Sequence, residues 1–292
     1  MKAAHQEIFG ITPFALFIIL IFLFSAVGAQ TVSLPDSIRS TRNIASRQPS
    51  LTNSLPSFGL VAIGTAGLFK SAEKYKLEVR DAMRDISDRQ KCHVDDYVQY
   101  LPVVATLTLD RAGIASKHEI VDRALLSGTA YASMASITLL LKHTITSVRP
   151  GVYDCYQDVS TRGRINPATR PGYFNSFPSG HTATAFTGAE LVRLEYGDDC
   201  PWAAIGAYAV ATGVGFLRVY NEQHWFTDVL AGAGLGILST RIGWWMLPYE
   251  KRAIRYFSAD KQHGPSSDGE KEVTVYPSLI GNEPTLTLSF TF

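Results

Sequence analysis

Charge is scarce in this sequence. Asp, Glu, Lys and Arg make up 18% of the 292 residues, against roughly 25% in soluble domains, so much of the chain must be buried or must sit in lipid. The charges that are present nearly cancel, to a formal +1. That balance removes any global pull toward nucleic acid or an anionic membrane surface and leaves local clustering as the electrostatic device. Cysteine is scarcer still. Cys92, Cys155 and Cys200 show no Cys-x-x-Cys spacing and no histidine at ligand spacing, which argues against a zinc site. In an oxidising compartment they allow one disulfide and one thiol, in any of three pairings. No internal repeat is visible, and the length fits one large domain or two small ones.

What the chain has instead is apolar length. Residues 14–24, FALFIILIFLF, follow Lys2 and precede the small-residue stretch SAVGAQ. This reads as a secretory signal peptide over 1–29, with an uncleaved anchor as the alternative. Residues 30–58 are rich in Ser, Arg, Asn and Pro and read as a linker or loose arm. A helical domain is expected over 59–257. Within it, 59–69 and 98–109 are apolar, and the charged stretch 70–91 places Val79, Met83 and Ile86 at helical spacing, as in an amphipathic surface helix, with a plain solvated helix the favoured alternative. Four further segments form the core expected at 124–247. Segments 124–141 and 201–217 carry no charge, a third begins at His181 and runs to about Glu195, and a fourth, 228–247, is apolar after Asp228 apart from Arg241. The fold class expected is an all-α bundle, membrane-embedded, because three of these segments have about the length that crosses a bilayer. In the tail, 258–272 is polar, and 273–280 and 285–292 alternate around GNEP as a β-hairpin does.

Three polar clusters interrupt the apolar segments. Lys142 and Arg149 stand two helical turns apart, so on one helix they share a face, and Pro150 would close that helix. Two cations there suit a phosphate; equally, Lys142 could simply complement the helix dipole. In NSFPSGHTATAF, 175–186, a helix beginning at Ser179–His181 presents free N–H groups to an anion, with Gly180 permitting close approach. Ordinary capping by Ser179 is the plainer alternative. In the third cluster, Arg218 to Asp228, a helical turn would face His224 and Asp228 the same way, so that the carboxylate sets the tautomer and frees the other imidazole nitrogen; a trivial surface pair is the competing account. If the four core segments alternate up and down, all three clusters meet at one end of the bundle. Asp95 and Asp96 stand side by side, and adjacent residues on a helix do not converge, so no acidic metal cluster is expected from them.

The three stretches K-x6-R-P (142–150), P-S-G-H (178–181) and R-x5-H-x3-D (218–228) resemble the motif of the type 2 phosphatidic acid phosphatase superfamily, which also contains vanadium haloperoxidases. One departure is Leu217, where the family pattern has Ser. The resemblance implies a hydrolase that needs no metal or other cofactor. In it His224 is the nucleophile, Asp228 its orienter and His181 the general acid. Lys142, Arg149, Ser179, Gly180 and Arg218 bind phosphate. The implied partner is a phosphorylated lipid or small phosphate ester, at a membrane, with no nucleic acid. The alternatives are a soluble periplasmic acid phosphatase, a vanadium haloperoxidase and a non-catalytic lipid-binding protein. Lys117, Arg123, Arg193, Lys251, Arg252 and Arg255 fall opposite the motifs in the expected topology, which predicts an inner-membrane protein with its site facing the periplasm. The loop 151–177, with Arg162, Arg164 and Arg170, is the expected specificity element.

Overall fold

The computed structural model describes residues 54–87, 90–158, 166–167, 170–260, 272–280 and 283–291. The expected signal peptide, most of the linker, Arg162 and Arg164 lie outside these residues. The chain divides into two compact units between Leu247 and Pro248. The first is all helix: α1 (Leu55–Ala66), α2 (Glu73–Ser87), α3 (Asp95–Val98), α4 (Leu101–Thr108), α5 (Ile120–Thr144), α6 (Pro150–Gln157), α7 (Gly180–Tyr196), α8 (Pro201–Tyr220) and the start of α9 (Phe226–Asp260). In the second unit β1 (Glu272–Ile280) pairs antiparallel with β2 (Glu283–Thr291), Val275 opposite Leu288. The backbone hairpin falls where the alternating tail predicts it.

α7 is the centre of the bundle. Its Ala- and Thr-rich sequence presents small side chains on every face, and 13 of its 17 residues are buried. α4, α5 and α8 pack against it. The fourth side is taken by α9, through glycine. A Cβ on Gly232 would stand 2.5 Å from the Ser179 carbonyl oxygen, and one on Gly236 would stand 2.4 Å from that of Ala183. Only hydrogen at these positions lets the two backbones touch. The contact matters for function, because it lays the start of α9 across the start of α7.

α5 is the opposite case. It is one of two helices among the described residues that are long and apolar enough to cross a membrane, the other being α8. Yet only Arg123, Leu126, Ser127, Ala130, Met134 and Thr138 are buried along its 25 residues. They recur every three or four positions and form one narrow stripe. Val121, Leu139 and Leu140, all apolar, are exposed.

Three expectations need correction. α5 ends at Thr144, so Arg149 is not on the Lys142 helix; Pro150 opens α6 instead of closing α5. The intervening residues run extended, because Ser147 bridges Asn175 and the Arg149 N–H donates to the Tyr173 carbonyl. Next, α2 is a docked helix. Val79, Arg80 and Met83 are buried although Ile86 is exposed. Arg80 and Arg84 both donate to Asp154 on α6, and Arg84 also pairs with Glu222. Finally, two of the cations expected opposite the motifs, Arg193 and Arg123, are buried or half-buried in helices and already paired. Arg193 lies in α7 and joins Arg241 on the buried Glu190 carboxylate, at 2.6 Å each. Arg123 is buried in α5 and pairs with Asp110.

Candidate active site

His224 sits in the five-residue connection between α8 and α9, just ahead of Phe226. It is 2% exposed. The connection is bent by Glu222, whose φ of 54° lies in the left-handed region. Non-glycine residues adopt that conformation at a cost and need outside support. Support comes from Arg84 on the Glu222 carboxylate and from the Gly151 N–H on its carbonyl. α2 and α6 thus hold the histidine loop in shape from behind.

The imidazole is fixed through one nitrogen. Nδ1 lies 2.6 Å from the Ser176 carbonyl, an acceptor only, so Nδ1 carries the proton. Nε2 has no hydrogen-bond partner among the described residues. Asp228 stands farther off, with Oδ2 3.9 Å from Nδ1. The spacing reading expected one helical turn to face His224 and Asp228 together; α9 begins at Phe226, and the direct partner is Ser176. Asp228 is instead engaged by the Ser176 hydroxyl at 2.5 Å and the Trp225 N–H at 3.0 Å. Its other oxygen, Oδ1, is buried without a hydrogen-bond partner among the described residues. Burial pushes His224 down to about 4, opposed by Asp228 and assisted by Lys142 and Arg149. At neutral pH the ring is uncharged, with an open lone pair on Nε2.

The start of α7 supplies the facing wall. Ser179 stands at the N-cap position, but its hydroxyl makes no capping bond and pairs with the Thr182 hydroxyl at 2.8 Å. Its backbone N–H donates to the Asp228 carbonyl, tying the two motif stretches together. The first helical bond is from the Ala183 N–H to the Ser179 carbonyl. The N–H groups of Gly180, His181 and Thr182 precede it and have no intrahelical partner. A Cβ on Gly180 would meet nothing nearer than Thr138 Cγ2 at 4.0 Å. Protein packing therefore does not demand glycine there, and the space above this backbone is open.

The cations complete the cradle. Lys142 donates to the Asn175 carbonyl at 2.7 Å. Arg149 donates to the Gln223 side chain. Arg218, 7% exposed, donates to Asp95 at 2.7 Å and, more weakly, to Asp96 at 3.4 Å. The Nε–H groups of both Arg149 and Arg218 are buried with no hydrogen-bond partner among the described residues. Burial and the Arg218 charge together push Arg149 below its usual value. Buried donors left open normally cost stability, and like charges repel, so the arrangement calls for an anion between them.

The expectation for Asp95 and Asp96 is overturned by tertiary contact. One carboxylate oxygen of each, together with a His181 nitrogen, lies within a 4.8 Å cluster. Asp96 reaches His181 Nε2 at 2.9 Å, and Asp95 is fully buried. By spacing the three could hold a cation, and the Arg218 guanidinium already fills that role. Burial and Arg218 lower the His181 pKa, while Asp96 and Asp95 raise it.

All eight residues singled out from sequence belong to this end of the bundle, linked by the contacts above. Those contacts also bring in Ser176, Gln223, Asp95 and Asp96. Ser176 and Gln223 lie within or beside the motif stretches, but nothing in their type marked them. The two aspartates lie far upstream and carried no periodic signal.

Residues 123–252 match the family model described as the PAP2 superfamily. The match covers just under half of the chain. An 84-residue part of the chain is 48% identical to the lipid A 1-phosphatase of Porphyromonas gingivalis, covering 29% of this chain and 18% of that protein. A 114-residue part is 29% identical to the bacitracin transport permease protein BcrC of Bacillus licheniformis, covering 39% of this chain and 54% of that protein. The chain thus spans less than two thirds of either relative. No solved structure matches it. The matched region contains all three motif clusters and stops short of α3, so Asp95 and Asp96 reach the candidate site from outside it.

Proposed function

We propose that the PAP2 domain hydrolyses the phosphate or diphosphate of a membrane lipid through a phosphohistidine. One observation carries the reading: a buried histidine with Nδ1 engaged and Nε2 open shares a cradle with two buried arginine N–H groups that lack a protein partner. Phosphoryl transfer asks mainly for positioning and charge stabilisation, and this arrangement offers both. Lys142, Arg149, Arg218 and the first amides of α7 hold the non-bridging oxygens. Nε2 of His224 attacks phosphorus, and the N–P bond forms as the bond to the leaving oxygen breaks. His181, entering as the imidazolium, gives its proton to that oxygen. Asp228 stabilises the positive charge that develops on the His224 ring. Water then attacks phosphorus, the N–P bond breaks, His181 takes the water proton, and inorganic phosphate leaves with His224 neutral again.

The lipid part of the reading rests on α5 and α8. An apolar helix that buries one narrow stripe and exposes leucine on its other faces is suited to hydrocarbon, not water. The relative named as a lipid A 1-phosphatase points to the same substrate class. The test is phosphate release by the detergent-solubilised full chain from lipid A, an isoprenoid diphosphate, phosphatidate and a soluble phosphate ester. Release from at least one lipid is expected, with inhibition by vanadate, and the activity should stay with carbonate-washed membranes. No release from any lipid, or indifference to millimolar vanadate, overturns the reading.

A further inference from the structure

The proton donor of the proposed reaction has a partner that none of the three motif clusters supplies. His181 Nε2 lies 2.9 Å from Asp96 Oδ1, a carboxylate on α3 that is 85 residues away in sequence. The contact is anchored. The segment before α3 is clamped to the end of α8 by Asn221, whose side chain accepts from the Cys92 N–H at 2.9 Å and donates to the Cys92 carbonyl at 2.6 Å. Asp95 is clamped in turn, buried against Arg218 and 3.3 Å from Asn221 Nδ2. α3 is therefore held in place, and Asp96 with it. The two carboxylates divide the work: Asp95 neutralises the buried Arg218, and Asp96, 44% exposed, faces the histidine.

We propose that Asp96 is the positioning residue of the general acid, in the phosphatase reading given above. It accepts a hydrogen bond from the His181 Nε2–H, fixes the plane of the ring, and leaves the Nδ1 proton as the one exchanged with the leaving oxygen. The carboxylate also offsets the Arg218 charge and the burial that disfavour the imidazolium. The histidine can then be charged before transfer and uncharged after it. In this arrangement Asp96 does for His181 what the Ser176 carbonyl does for His224: it fixes one nitrogen so that the other can work.

The distinguishing experiment varies the leaving group. A 4-nitrophenolate leaves without needing a proton, whereas an alkoxide does not, so only the alkyl ester depends on a well-placed acid. The full chain in detergent is assayed for kcat/KM, which reports the step up to the first irreversible P–O cleavage, on 4-nitrophenyl phosphate and on an alkyl phosphate. For Asp96→Asn, about a 100-fold loss is expected on the alkyl ester, the lower end of general-acid contributions, with less than about a 3-fold loss on the aryl ester. Asp96→Ala should show the same split, and Asp96→Glu should recover part of the alkyl rate. Equal losses on both esters in Asp96→Asn and Asp96→Ala, with the fold intact by circular dichroism, overturn the positioning role. The phosphatase reading is tested separately in the same assay: it fails if the wild-type chain cleaves neither ester, and the positioning role fails while wild type remains active.

Discussion

His224 and His181 face one cradle but are held in opposite ways. His224 is 2% exposed, and its Nδ1 is engaged by a neutral backbone carbonyl, with the Asp228 carboxylate withdrawn to 3.9 Å. The His181 side chain is 30% exposed and hydrogen-bonded directly to a carboxylate. The first environment suppresses the charged form of the ring, and burial pushes its pKa down to about 4. The second is mixed, because burial and Arg218 lower the pKa while Asp96 and Asp95 raise it. A nucleophile must be neutral and an acid must be charged, and the two environments differ in the direction those roles need.

The largest break in this contrast is removal of either ring. His224→Ala is expected to lose at least ~10⁴-fold in kcat/KM on every substrate, the scale of a lost nucleophile. His181→Ala should lose about 10²- to 10⁴-fold on alkyl esters and much less on aryl ones. A His224→Ala variant with near-wild-type turnover would end the assignment of roles.

Asp228→Asn sharpens the comparison. Where a carboxylate alone sets the tautomer of a catalytic histidine, the amide replacement costs about 10⁴-fold. Here the Ser176 carbonyl already holds the Nδ1 proton, so the variant should lose only about 10- to 100-fold, through weaker stabilisation of the charged ring. A loss near ~10⁴-fold would mean that Asp228, not Ser176, orients His224.

The smallest effect is on pH dependence. A folded-state pKa of about 4 for His224, down from 6.5, keeps the ring neutral and nucleophilic through mildly acid pH. The acid limb of kcat/KM should therefore fall near pH 4. The His181 pKa is lowered from 6.5, so the alkaline limb should fall below that value. The same shift predicts a stability trend. Between about pH 6.5 and 4 the unfolded chain binds a proton that folded His224 refuses, so stability declines as the pH falls through this window. A His224→Gln variant should lack that part of the decline in a urea titration at both pH values.

Much of the architecture was legible in the chain. The charge-free runs at 124–141 and 201–217 became α5, extended by a few residues at each end, and α8, extended by three at its end, and the run after His181 became α7. Helical propensity and burial act over one local window, so composition reports them. The second and third motif clusters meet because the short α7–α8 and α8–α9 connections make neighbouring helices alternate, whereas the first joins them through a longer stretch that carries α6. Legibility failed where a residue's partner was distant in sequence. Spacing places Arg149 on the Lys142 helix because spacing alone does not reveal that Ser147 and Asn175 pair their backbones. The stretch of α2 looks solvated in sequence because Arg80 and Arg84 resemble surface residues until Asp154 and Glu222 are folded against them.

The sequence by itself determined the all-helical class, the four core segments and the inventory of cations, histidines and carboxylate at one end, since these follow from local pattern and from residue types that few other chemistries need together. Only the tertiary structure decided which group holds each histidine. Asp95 and Asp96, adjacent and unremarkable on α3, reached Arg218 and His181 because Asn221 pins the chain at Cys92 across a gap of 129 residues. Hydrogen-bond partners are chosen by distances of about 3 Å, and no local pattern encodes a distance between segments that meet only when the bundle closes.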